Sequence, residues 1–382
     1  MVGNFNRPNR IQMRIQDFAI ICLSVAKGSG TRDLLSDYVH TQKLFGDFIK
    51  TATSQKVLPL VSCVIADANC QKICIENGID VSGIKLPKHF VARNIHLKAQ
   101  LQQIDNALEG SNIKPVLLKG AIQLFDGLYC AFGMRNMADI DFLSTDAKLL
   151  QVLGDLGYTI SKKGRENKID VDKNAILNPG ENHLSPLARA NDLAHLEPHF
   201  LPVSPMYMKV IPKAFETETL PLTGCSNLVQ PTIINHLIHV LVHTLKHDRD
   251  ALDGGISVRG LIDCELIYEK MTPEQKLSTE QHFTNHNSRN LWVSWRSLSD
   301  WVFRDTKSAI YNSVGSFILI AEFKLRSLGY RWIFMIAFFN RFLRLFNYKY
   351  WSTKVYRKHA KRLGERDFWD RIIGKFKSAV RG

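Results

Sequence analysis

The chain has 382 residues, with 50 Lys and Arg against 36 Asp and Glu, for a formal net charge of +14. Apolar residues make up 45% and charged residues 23%, which excludes a wholly disordered chain, and the length suits about two to three domains. The seven cysteines (Cys22, Cys63, Cys70, Cys74, Cys130, Cys225 and Cys264) are scattered without a C-x-x-C, which argues against a disulfide framework or zinc ribbon and for a reducing, cytoplasmic compartment.

In chain order, Asp17 precedes a short apolar run, Phe18–Ala26, with no small-residue cleavage site after it, so no secretory signal is expected. Residues 1–95 read as an N-terminal helical region. Leu34, Leu35, Tyr38, Val39, Leu44, Phe45, Phe48 and Ile49 recur at three- and four-residue spacing, and Val57–Ile65 continues the buried pattern. A loop around Gly83–Pro87 leads into a predicted helix from His89 to Leu108, ended by Gly110 and Ser111. Residues 96–215 read as an α/β core. Pro115-Val-Leu-Leu118 is predicted as a buried strand that turns at Lys119-Gly120 into a helix, Ala121–Tyr129. Ala138–Leu143 alternates like a half-buried strand, and Lys148–Leu156 is a predicted helix stopped by Gly157. Strands are expected at Tyr158–Ser161, Lys168–Asp172 and Ala194–Phe200. Residues 216–330 read as a C-terminal helical region, with helical period from Thr232 to Met271 broken by a loop at Asp248–Ile256. The fold class is therefore α+β, a small mixed-sheet core flanked by helical regions.

Residues 331–382 form a basic aromatic tail. It holds 14 Lys and Arg against three acids, Glu365, Asp367 and Asp370, and so carries +11 of the +14. Its longest apolar run, Trp332 to Phe339, has eight residues, against the roughly 20 that span a bilayer, and no transmembrane helix is expected. Three uses compete for the tail: an anionic membrane surface, with the enzyme peripheral to it; nucleic acid; or packing on the rest of the protein.

The stretch Val116–Leu143 carries the chemistry. Alternation along a strand places Asp139 and Asp141 on one face, where two carboxylates suit hard divalent cations such as Mg2+ or Mn2+ acting on a phosphate. Lys119-Gly120 makes a turn whose glycine lets the backbone approach a ligand, and a helix N-terminus after it would favour phosphate. By itself a D-x-D pair is a weak signal, more often two solvated acids on an exposed strand face.

In sequence, Leu118-Lys119-Gly120 followed by Arg135-Asn-Met-Ala-Asp139-Ile-Asp141-Phe-Leu143 resembles the uncharacterised nucleotidyltransferase family, whose signature is an L-K-G turn and then R-x-x-x-D-I-D-x-L. The likeness covers roughly residues 30–270. It implies that Lys119 and Gly120 sit at a nucleoside triphosphate, that Arg135 orients or neutralises phosphate, and that Asp139 and Asp141 hold catalytic metals. It also implies a third carboxylate, Glu197 in Leu196-Glu197-Pro198-His199-Phe200, as metal ligand or as the base for the acceptor hydroxyl, with His199 on the same strand face. Pro198 lacks a ladder N–H and fits an edge strand or bulge. Asp170 and Asp172 are a competing pair.

His236, His239, His243 and His247 form one helical stripe, either a metal site or a polar face lining the cleft. The resemblance favours the cleft and points to Arg259-Gly-Leu-Ile-Asp263, which is equally an intrahelical pair with a structural role. Asp253-Gly254-Gly255 reads as a hinge or a plain turn. The expected function is Mg2+-dependent transfer of a nucleoside monophosphate from an NTP, ATP or another, to a hydroxyl or phosphate acceptor on a small molecule, protein or RNA. The alternatives are a non-catalytic nucleotide-binding or membrane-surface adaptor, and a metal-dependent phosphohydrolase.

Overall fold

A computed structural model describes residues 14–29, 41–162, 165–168, 183–248 and 256–304, together with residues 316, 317, 319–321 and 323. The tail 331–382, the pair Asp170 and Asp172, and the Asp253-Gly254-Gly255 loop lie outside the described residues.

The first half opens with helices α1 (Ile15–Ala26), α2 (Gln42–Ser54), α3 (Leu58–Ile65), α4 (Ala68–Glu76) and the long α5 (Pro87–Ala107). Local chemistry starts several of them. The Thr41 hydroxyl accepts from Leu44 N at the head of α2, the Asp67 carboxylate accepts from Asn69 N at the head of α4, and a proline occupies the first turn of α3 and of α5.

After α5 come strands β1 (Val116–Leu117), β2 (Asp139–Leu143), β3 (Thr159–Lys162), β4 (Arg165–Lys168), β5 (Leu187–Ala188), β6 (His195–His199), β7 (Thr219–Pro221) and β8 (Val229–Pro231). Helix α6 (Lys148–Asp155) lies between β2 and β3. The eight strands form one mixed sheet in the order β4-β3-β5-β6-β2-β1-β8-β7, in which β2 runs parallel to β6 and β1 parallel to β8. Helices α7 (Ile233–Val242), α8 (Val258–Lys270), α9 (Pro273–Asn285) and α10 (Arg289–Arg304) follow. The expected α+β class is what the chain adopts.

Two apolar clusters hold these layers. On one sheet face, Leu117, Ile140, Phe142 and Leu196 pack with Leu97, Leu101 and Ile104 of α5 and Leu149 and Leu153 of α6. The opposite face, through Val116, Leu118 and Leu143, joins a larger cluster built by both helical regions, with Phe18, Phe48 and Leu60 alongside Leu261, Ile262 and Trp295. The first and last helical regions thus share one core, and Gln16 Nε2 donates to Trp301 O across it (2.9 Å).

Several elements differ from the sequence reading. The predicted helix Ala121–Tyr129 is a six-residue 3-10 helix, Lys119–Leu124, so the phosphate argument from an α-helix N-terminus does not apply. Strands β7 and β8 extend the sheet beyond residue 215, and the buried Asp105 at the end of α5 fastens that extension by accepting from Ser226 N, Asn227 N and Leu228 N. Strand β6 is interior, although it contains Pro198. Ser144 N donates to His199 O, which turns the odd-numbered peptide groups of β6 toward β2 and the even-numbered ones toward β5. Regular pairing with β5 is limited to Leu187↔Leu196, and beside it Leu184 N donates to the Pro198 carbonyl, so the missing N–H falls where the ladder is sparse. Among the described residues no single helix is long and apolar enough to cross a membrane.

Candidate active site

Asp139 and Asp141 project from the β2 face that looks toward the helical core, and β6 lies alongside in parallel register, Asp139↔His195, Asp141↔Glu197 and Leu143↔His199. Residues in register share a face, so Glu197 and His199 join Asp139 and Asp141 on it. Ligating atoms of Asp141, Glu197 and His199 all lie within 4.8 Å of one another, close enough together to hold a metal ion.

The turn after β1 supplies a cation to this face. Leu118 is extended and Lys119 adopts φ 51°, a left-handed conformation uncommon outside glycine. Leu118 N donates to Asp141 O (3.0 Å), and the Lys119 side chain returns across β2 so that Nζ donates to Asp141 Oδ1 (2.7 Å). His199 Nε2 lies 2.9 Å from the same oxygen.

These contacts set the protonation states. Burial would raise the Asp141 pKa, but Lys119 and then His199 hold its carboxyl well below the usual carboxylate range. Burial likewise opposes the Lys119 ammonium, yet Asp141, Asp139 and Glu197 together raise its pKa. Burial pushes the His199 imidazole down despite the neighbouring Asp141, so the ring is neutral and its Nε2–H donates to the ionised carboxylate. Burial, reinforced by Asp141 and Asp139, pushes the Glu197 carboxyl up.

Arg135 stands one layer back. Its Nε donates to both oxygens of Asp263 on α8 (3.1 and 3.0 Å) and its NH2 group to Oδ2 (2.9 Å), while Tyr129 Oη donates to Asp263 Oδ1 (2.6 Å). The whole arrangement is buried. Arg135 NH1 lies against Gly120, where an added Cβ would come within 1.7 Å of it. Gly120 is therefore required by the guanidinium packed on it. From α5, Asn94 Nδ2 donates to Arg135 O and Arg93 Nε to Met137 O, fixing the segment that enters β2.

The structure brings together Lys119, Asp139, Asp141, Glu197 and His199, with Gly120 and Arg135 immediately behind. The partner of Asp263 is Arg135, 128 positions away, whereas Arg259 NH1 reaches Asn136 O (3.4 Å). Sequence reading missed the Arg135–Asp263 pair and the Lys119–Asp141 contact. The i, i+4 spacing of Arg259 and Asp263 pointed the two at each other and gave no signal for Arg135. Of the histidine stripe, His239 Nε2 bonds Pro202 O (2.9 Å), and burial pushes the His236 imidazole down to about 4 and that of His239 well below its ordinary value. The helix then widens into a π turn, His243–Asp248, and the His247 side chain lies outside the described residues. Among the described residues the metal-type cluster lies on the sheet and not on this stripe.

Residues 42–281 match the family model described as an uncharacterised nucleotidyltransferase. Searches of the curated proteins and of the solved structures return no match.

Proposed function

Because the chain belongs to the family of uncharacterised nucleotidyltransferases, we propose that it moves a nucleoside monophosphate from a nucleoside triphosphate to a hydroxyl or phosphate acceptor, with Mg2+ or Mn2+ bound at Asp139, Asp141 and Glu197. The observation that carries this reading is the register of β2 and β6, which places Asp141 opposite Glu197 with Lys119 Nζ 2.7 Å from the same Asp141 side chain. The donor set fits the ion, since carboxylate oxygens suit Mg2+ and Mn2+ and ligating atoms from both strands already lie within 4.8 Å. The bound ion would supply neutralisation of charge at the transferring phosphorus.

The chain's own residues do the rest. Asp141 stays ionised at any ordinary pH, held by Lys119 and His199. Lys119, on the turn beside Gly120, offers a positive charge to the triphosphate. Glu197, whose carboxyl burial and the neighbouring Asp141 and Asp139 push up, serves as the third metal ligand or as the base that takes the proton of the acceptor hydroxyl. Arg135 supports the turn from behind, with its charge matched by Asp263. The three carboxylates on one face argue against an adaptor that has lost catalysis.

The test is incubation of the protein with each α-labelled triphosphate and Mg2+ or Mn2+ in cell extract. Label should move to an acceptor with release of unlabelled pyrophosphate. Release of γ-phosphate without transfer of the α-label would show a phosphohydrolase, and no turnover with any triphosphate would overturn the reading.

A further inference from the structure

We infer that Arg93 is a positioning residue for the carboxylate site: acting through the backbone, it sets how Asp139 on β2 stands against Glu197 on β6. The inference rests on the metal-dependent reading above and deepens it. Its first ground is where the strand pairing stops. The β2–β6 ladder begins at Asp139↔His195 and ends at Leu143↔His199, so Asp139 belongs to a terminal pair. Ladder ends fray unless something beyond them holds the chains. The placement of Asp139 therefore depends on how the segments entering the two strands are fixed.

The second ground is what fixes them. Arg93 Nε donates to Met137 O (3.1 Å), and Arg93 NH2 donates to Leu193 O (3.0 Å). Met137 stands two residues before Asp139 and Leu193 two before His195, so continuing the register by two would set them opposite each other. One edge of a single guanidinium thus closes the two chains just ahead of the ladder. The guanidinium is planar and carries its N–H donors in a rigid fork, which holds two acceptors at a fixed separation. A lysine ammonium is a point donor on a flexible stem and cannot do the same.

The third ground is the element that carries Arg93. Leu97 and Leu101 of α5 pack with Ile140 and Leu196, on the sheet face opposite the carboxylates. Neighbours on the same helix hold the same two segments, Asn94 Nδ2 donating to Arg135 O and Gln100 Nε2 to Ala194 O (3.1 Å each). Helix α5 is thus a seated bar laid across both strand entries, and Arg93 is the one side chain of the three that joins the two.

The experiment measures Mn2+ binding to the full-length, nucleotide-free protein at neutral pH, with free ion followed by electron paramagnetic resonance, beside the denaturant midpoint of each variant. Binding that Asp141→Asn removes belongs to the site. Arg93→Lys keeps the charge but loses the fork, and should weaken that binding about tenfold, as loss of a residue that orients metal ligands from behind does. Asp105→Asn is the comparison. Asp105 lies on the same helix but accepts from Ser226 N, Asn227 N and Leu228 N, so this variant should lower the midpoint and leave Mn2+ affinity unchanged. Unchanged Mn2+ affinity in Arg93→Lys overturns the inference and leaves metal-dependent transfer standing. Equal weakening in Arg93→Lys and Asp105→Asn also overturns it, because general loosening of the fold would then account for both. If Asp141→Asn removes no Mn2+ binding from the wild type, the inference and the metal-dependent reading both fall. Should Arg93→Lys not fold, Arg93→Gln, which offers one amide in place of the fork, is held to the same outcomes.

Discussion

At Asp141 a lysine and a histidine share one carboxylate oxygen, and the two aspartates of the pair differ in what their loss would do. Asp139→Asn and Asp141→Asn should both abolish nucleotide transfer, since each removes a negative charge from the proposed cation site. Their stabilities should diverge. Asp139 is half-buried beside Asp141 and Glu197, so neutralising it relieves like-charge repulsion and leaves stability within about 0.5 kcal/mol of wild type. Asp141 is 4% exposed, and its neutralisation takes from the buried Lys119 ammonium the carboxylate it is hydrogen-bonded to, at a cost of roughly 3 kcal/mol. Denaturant midpoints of the two variants check this. Equal stabilities would mean that the Lys119 contact contributes nothing to the fold.

Among the elements, the turn after β1 and helix α8 depend on each other through Arg135. Asp263→Asn removes the counter-charge of a buried guanidinium and should cost about 3–5 kcal/mol. Gly120→Ala places a Cβ 1.7 Å from Arg135 NH1 and must push that guanidinium off Asp263. Both substitutions break the same pair, so the double variant should lose clearly less stability than the sum of the singles. Additive losses in a double-mutant cycle would show that Gly120 and Asp263 do not communicate through Arg135. The pair ties the α/β layer to the helical layer directly behind the carboxylate face, so on the proposed reading each variant should also weaken nucleotide binding.

For the whole molecule, the sharing of one core by the first and last helical regions buries α7 from Asn235 to Val242, and with it His236 and His239. The folded-state value for His236 is about 4, below the ordinary histidine value near 6.5, because burial disfavours the imidazolium. Between those values the unfolded chain binds a proton that the folded chain refuses, so stability rises with pH across the window and falls as pH drops through it. From pH 7 to pH 5 this one residue should cost roughly 2 kcal/mol, with His239 acting in the same direction. His236→Gln should flatten the pH dependence of the denaturant midpoint. An unchanged slope would mean that His236 meets water or a counter-charge in the folded protein.

What could be read from sequence was local. Alternation along a strand placed Asp139 with Asp141 and Glu197 with His199, because a period of two is a property of the strand itself. The turn at Lys119-Gly120, the long helix α5 and the Asp139–Asp141 pair followed from the residues and their spacing, and Glu197 from the family resemblance. The tertiary structure decided what no spacing expresses. It set the register Asp141↔Glu197 between strands more than fifty positions apart, joined Arg135 to Asp263, and turned Lys119 onto Asp141. It reduced the helix after Gly120 to a 3-10 turn and recruited β7 and β8, each only three residues long, into the sheet. Such short segments carry too little periodicity to announce themselves, and partners distant along the chain are chosen by burial and by the pairing of charge that burial demands.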